Sequence, residues 1–94
     1  MAERIAVRAR IEGRVQGVWY RGWIVDQATA RDLAGWVRNR RDGTVEALFA
    51  GPEATVRDML ALCHKGPPAA RVTGVTESPA PMPDATGFTQ LSTV

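Results

Sequence analysis

A chain of 94 residues, 45% hydrophobic and 23% charged, has room for one core and not for two, and this composition excludes disorder, collagen-like repeats and a disulfide scaffold. Its longest apolar run, Met59 through Cys63, falls far short of the roughly 20 residues that cross a bilayer, and no signal-like apolar stretch stands near the N-terminus. The net charge of +2 hides an asymmetry: residues 1–41 carry nine arginines against Glu3, Glu12, Asp26 and Asp32, which suits an anionic ligand, a nucleic-acid face or an ordinary solvated surface.

Residues 4–12 alternate so that Ile5, Val7, Ala9 and Ile11 share one face while Arg8, Arg10 and Glu12 point away, the pattern of a half-buried strand. Gly13 and Gly17 then bracket a loop that leads into a helix over residues 21–32. Ile24 and Ala28 share a stripe of that helix, and Asp32 is placed to end it in a left-handed conformation. Two strands follow, over residues 34–39 and 44–50, joined antiparallel at Arg40-Arg41-Asp42-Gly43, where Asp-Gly is a strong hairpin signal. Pro52 and Glu53 open a second helix with Val56, Met59, Leu60 and Cys63 on one face, and Gly66-Pro67-Pro68 stops it. A strand over residues 72–77 has its alternation broken between Val72 and Val75, which marks a bulge; Phe88 and Leu91 suggest a short final edge strand.

The order βαββαβ is that of an α+β ferredoxin-like sandwich, a four-stranded antiparallel sheet with two helices on one face, taking residues 1–94 as a single domain. Fold alone assigns no activity. Cys63 is the only cysteine and His64 the only histidine, so no disulfide can form within the chain and no zinc site is expected. Adjacent on a helix, the two point about 100° apart, a poor geometry for a nucleophile and its base.

The loop from Gly13 to Arg21 joins a strand to a helix N-terminus, where free N–H groups and the helix dipole favour an anion. The backbone amides of Val15, Gln16, Gly17, Val18, Trp19 and Tyr20 can converge on a phosphate, with the Arg21 guanidinium as a planar second donor. No Gly-Lys-[Ser/Thr] follows, so this is not a nucleoside triphosphate loop. On spacing alone it is either an anion cradle or a plain structural turn.

Here the residues become recognisable. Ile11-Glu-Gly-Arg-Val-Gln-Gly-Val-Trp-Tyr-Arg21 resembles the first signature of the acylphosphatases, and Gly35-Trp-Val-Arg-Asn39-Arg-Arg-Asp-Gly43-Thr-Val45-Glu-Ala-Leu-Phe-Ala-Gly51 resembles the second. The resemblance covers essentially the whole chain. It implies hydrolysis of the carboxyl–phosphate anhydride of acyl phosphates without metal or cofactor. It also implies that Arg21 binds the phosphoryl group and that Asn39 positions the attacking water. Inorganic phosphate is then both product and inhibitor, and a cytoplasmic monomer with no nucleic-acid or membrane partner is expected. Tyr20 stands where the family usually carries Phe or Met, and Gly22 and Trp23 make an unusual helix start. Trp19, at a variable position, either lines the acyl entrance or serves packing, or is simply exposed.

The chemistry agrees with that implication. The leaving carboxylate has a conjugate acid with a pKa of about 4 to 5, so it departs without protonation and no general acid is needed. What remains is charge neutralisation and placement of water, which arginine, backbone amides and one asparagine supply. Two rivals stand beside this reading. An RNA-recognition module would carry stacking aromatics on its third strand, where Thr44-Val-Glu-Ala-Leu-Phe49 offers one aromatic and one carboxylate. A domain retained only for interaction has no reason to keep both Arg21 and Asn39.

Overall fold

The computed structural model describes residues 3–94. Its elements run β1 (Arg4–Arg14), α1 (Tyr20–Ala30), β2 (Ala34–Asn39), β3 (Val45–Pro52), α2 (Glu53–Lys65), β4 (Arg71–Pro79) and β5 (Phe88–Gln90). The alternation read in β1 sends Val7, Ala9 and Ile11 into the main core, with Ile5 packed at its margin. Opposite them, Ala6 joins Leu48 and Ala50 in a smaller cluster on the other face of the sheet, which Ala34, Trp36 and Ala80 partly cover.

Helix α2 lays Val56, Met59, Leu60 and Cys63 into the main core as its spacing requires. Each such side chain contributes roughly 1.5 to 3 kcal/mol on full burial. Helix α1 buries a thinner stripe, Tyr20, Ile24 and Ala28, and so depends more on its ends. Its C-terminus closes with Leu33 N–H donating to the Ala28 carbonyl at 3.0 Å and Asp32 N–H to the Thr29 carbonyl at 3.0 Å. Asp32 has φ of 56°, the left-handed turn expected for it, in a Schellman arrangement that buries Leu33 against the core.

The sheet order is β4-β1-β3-β2-β5. The four expected strands pair antiparallel throughout, and the bulge lies where the alternation breaks: Glu12 faces Gly74 while Gly13 faces Val72, leaving Thr73 as the extra residue. Gly13 is needed there, because a Cβ on it would stand 2.1 Å from the Arg71 carbonyl oxygen. The short edge strand suggested at Phe88 forms as β5, stopping before Leu91, and it makes the sheet five-stranded and mixed where four antiparallel strands were expected. β5 pairs parallel with β2, Gly35 opposite Phe88 and Val37 opposite Gln90. After β4 the chain crosses to the far edge of the sheet, where β2 has a free ladder. Phe88 anchors it there by stacking on Phe49, with ring centroids 5.6 Å apart and planes at 15°.

Candidate active site

The loop between β1 and α1 is built by alternating backbone handedness. Gly17 has φ of 73° and Trp19 φ of 66°, whereas Gln16 and Val18 stay at negative φ. Such alternation turns successive N–H groups toward one concavity, the nest geometry that binds anions. Among the described residues none of the N–H groups of Gln16, Gly17, Val18 or Trp19 donates to a protein acceptor. The first turn of α1 adds its own free N–H groups.

Two side chains hold this loop in place. Gln16 Nε2 donates to the carbonyls of Arg40 at 2.7 Å and Thr44 at 2.9 Å, which ties the loop to the hairpin end immediately after Asn39. Tyr20 is buried and its hydroxyl donates to the Cys63 carbonyl at 2.7 Å, fastening the start of α1 to the last turn of α2. Burial pushes the Tyr20 phenol far above its ordinary value, so it stays protonated and can only donate there. The same burial pushes the Cys63 thiol up to about 12. Cys63 is a core residue and His64 is exposed, which disposes of them as a reactive pair.

Val15, Gly17, Trp19, Tyr20, Arg21, Gly22 and Gln90 line a cleft of about 210 Å³. No carboxylate or histidine is among them. Ion pairs among the described residues engage Arg8, Arg10, Arg38, Arg40 and Arg57, and none engages Arg21. Arg21 therefore brings an uncommitted guanidinium to a concavity of uncommitted amides. Of the sequence-predicted loop residues, Gln16 and Val18 lie outside the cleft lining, Gln16 because its side chain is spent on the hairpin. A larger cleft of about 400 Å³ lies between α1 and the segment after α2, but Lys65 is its only charged residue and it holds none of the signature residues that carry chemistry.

Asn39 ends β2 on the face shared with Val37, and it is 8% exposed. Its Oδ1 is the one buried side-chain polar atom among the described residues without a hydrogen-bond partner. A buried acceptor left unpaired costs the fold roughly 1 to 3 kcal/mol. Asn39 is not in the cleft lining itself; it ends the strand with which Gln90 is paired, immediately before the hairpin end to which Gln16 ties the loop.

Pleating sends the neighbouring arginines to the other face. Arg38 Nε donates to Glu46 Oε1 at 2.8 Å and Arg40 Nη1 to the same oxygen at 3.0 Å, so neither serves the cleft. Burial would raise the Glu46 carboxyl, but hydrogen bonds from these two guanidiniums outweigh it and hold the group below its usual range. Gly22, next to the first signature, and Gln90 are the cleft residues that sequence reasoning did not assign to the site, and Gln90 is the distant one. It belongs to neither signature, and only the parallel docking of β5 brings it there.

Comparison with known proteins identifies the family and the fold. The acylphosphatase family model matches residues 7–90. An acylphosphatase of Rhodospirillum rubrum is 62% identical over 81 residues, covering 86% of this chain and 89% of that protein. The crystal structure of an acylphosphatase from Bacillus subtilis superposes with a TM-score of 0.87 at 34% identity, covering 93% of this chain and 98% of that one. The structure of an acylphosphatase from Coxiella burnetii superposes with a TM-score of 0.90 at 27% identity, covering 94% and 93%.

Proposed function

For this chain, which belongs to the acylphosphatase family and hydrolyses the carboxyl–phosphate bond of acyl phosphates, we propose that Arg21 and the loop amides bind the phosphoryl group and that Asn39 holds the attacking water. The observation that carries the first half is the run of unpaired N–H groups from Gln16 to Trp19 beside an unpaired guanidinium. An anion there satisfies donors that otherwise have no partner, and Arg21 covers two phosphoryl oxygens with its fork. The second half rests on the place of Asn39 in the second signature and at the end of β2, next to the hairpin end that Gln16 ties to the loop, and on the ability of an amide to donate and accept at once.

In the reaction, the water oxygen bonds to phosphorus while the bond from phosphorus to the acyl oxygen breaks. The electron pair leaves with the carboxylate. Because that carboxylate is stable at neutral pH, no acid is required, and the cleft offers none. The water's proton passes to a phosphoryl oxygen of the substrate, the nearest base in a site lined by no carboxylate or histidine. Preorganised donors act on charge as it spreads over the phosphoryl oxygens, the term on which phosphoryl transfer mainly depends. Residues 1–94 act as one domain, a cytoplasmic monomer that needs no metal, and the phosphate product competes with substrate for the same cradle.

The test is hydrolysis of acetyl phosphate with a chelator present and a phosphate monoester as control. Turnover of acetyl phosphate alone, inhibited competitively by inorganic phosphate, is the expected result. Activity lost to the chelator and restored by a divalent metal would overturn the metal-free mechanism.

A further inference from the structure

Trp19 is the most exposed large hydrophobic residue of the described chain, at 60%, and it is held in a left-handed conformation that a bulky residue rarely adopts. It contributes nothing to either core cluster. Its indole nevertheless has a defined seat, laid back over the first turn of α1: a Cβ on Gly22 would stand 2.1 Å from Trp19 Nε1 and 2.7 Å from its Cδ1. Gly22 is thus the vacancy that the ring fills, which accounts for a glycine early in a helix, where it costs about 1 kcal/mol against alanine. Ring and glycine together form one wall of the cleft that Arg21 enters.

The cleft's donors fix which end of a substrate that wall can meet. Arg21 and the loop amides take the phosphoryl group, so the acyl part lies along the rest of the lining, where the exposed Trp19 stands beside Gly22. We infer that the Trp19–Gly22 pair is a platform for the acyl group, and that it makes the enzyme selective for aromatic acyl phosphates over small aliphatic ones. This rests on the assignment of the cleft as the phosphoryl site. A planar aryl group stacks on the indole in offset or tilted geometry, and such a pair is worth roughly three- to tenfold in binding beyond the area it buries. An acetyl group has no ring to stack and gains none of this.

The experiment compares benzoyl phosphate with acetyl phosphate in the wild type, Trp19→Ala, Trp19→Phe and Gly22→Ala. The readout is the benzoyl-to-acetyl ratio of kcat/KM, in which any general effect on the cradle cancels. The wild type should favour benzoyl phosphate. Trp19→Ala should lower the ratio roughly three- to tenfold, with the loss in KM, while Trp19→Phe retains most of it. Gly22→Ala, which keeps the tryptophan but denies the ring its seat, should lower the ratio as well. Phenylphosphonate and methylphosphonate as inhibitors read the same difference without turnover. A ratio unmoved by Trp19→Ala, or a wild type that favours acetyl phosphate, overturns the platform and leaves the phosphoryl site intact. That site fails by a different result, an Arg21→Ala variant that binds inorganic phosphate as tightly as the wild type.

Discussion

Replacing Asn39 by leucine separates catalysis from folding in opposite directions. The side chain is 8% exposed and its Oδ1 is buried without a protein partner, so the folded chain carries the desolvation cost of an unpaired acceptor. That cost is roughly 1 to 3 kcal/mol, and an apolar group of the same branching avoids it. Asn39→Leu should therefore stabilise the fold by about 1 to 2 kcal/mol, or a rise in Tm on the order of 4 to 8 °C for each kcal/mol in a domain of this size. Turnover should move the other way. Loss of one preorganised group acting in the transition state costs on the order of 10² in kcat or more. Inhibition by inorganic phosphate should persist, since Arg21 and the loop amides remain. Asn39→Ala should show the same kinetic split with less gain in stability, because it leaves a small void. Asn39→Asp keeps the shape but sets a negative charge beside an anionic substrate, so it should turn over no better than alanine. The assays are acetyl phosphate hydrolysis, phosphate inhibition and thermal or urea melts on the same preparations. A leucine variant with near wild-type kcat, or one destabilised by more than about 1 kcal/mol, would refute the reasoning and make Asn39 a structural residue.

Other consequences are equally open to measurement. Arg21→Ala should weaken acyl phosphate and inorganic phosphate together, by the roughly 1.5 to 3 kcal/mol of a charged hydrogen bond, and lysine should restore only part because it lacks the planar fork. Glu46 has its carboxyl held below the ordinary value of 4.5 in the folded chain, so the stability it contributes is present above that pH and is lost as pH falls through the lowered folded value. Urea melts from about pH 7 to pH 3 should show Glu46→Gln less stable at neutral pH, by roughly 1 to 3 kcal/mol for two stranded guanidiniums, with a flatter acid limb than the wild type. An acid limb as steep as the wild type's would assign the acid sensitivity to other groups. With no carboxylate or histidine in the cleft lining, kcat/KM for acetyl phosphate should be level between about pH 6.5 and 8; a bell-shaped profile there would reveal an enzyme acid or base.

Where the signals are local, the sequence already carried the answer. Strand β2 runs from Ala34 to Asn39 as its pattern required, α2 buries Val56, Met59, Leu60 and Cys63, and Asp32 takes the left-handed turn at the end of α1. The bulge opposite Glu12 and Gly13 was visible as broken alternation between Val72 and Val75. The family is equally a matter of sequence, because each signature is a continuous stretch whose spacing survives without coordinates. Each of these depends on a periodicity or a turn chemistry spanning a few residues.

Only the tertiary structure decided what faces what across the sheet. Strand β5 is three residues long and pairs in parallel with a strand some 50 positions earlier, so no local periodicity could place Gln90 in the cleft. Gln16 reads as one more loop amide until its side chain is seen reaching Arg40 and Thr44, a contact across 24 and 28 residues. Gly22 looks like a poor helix residue until the Trp19 ring occupies its missing Cβ. Arg38 and Arg40 look like companions of Asn39, yet the pleat sends them to Glu46 on the opposite face. Asn39 itself is named by its signature, but the unpaired state of its Oδ1 is a property of everything packed around it. Burial and hydrogen-bond satisfaction are sums over neighbours distant in the chain, and a one-dimensional pattern contains the terms of that sum without their geometry.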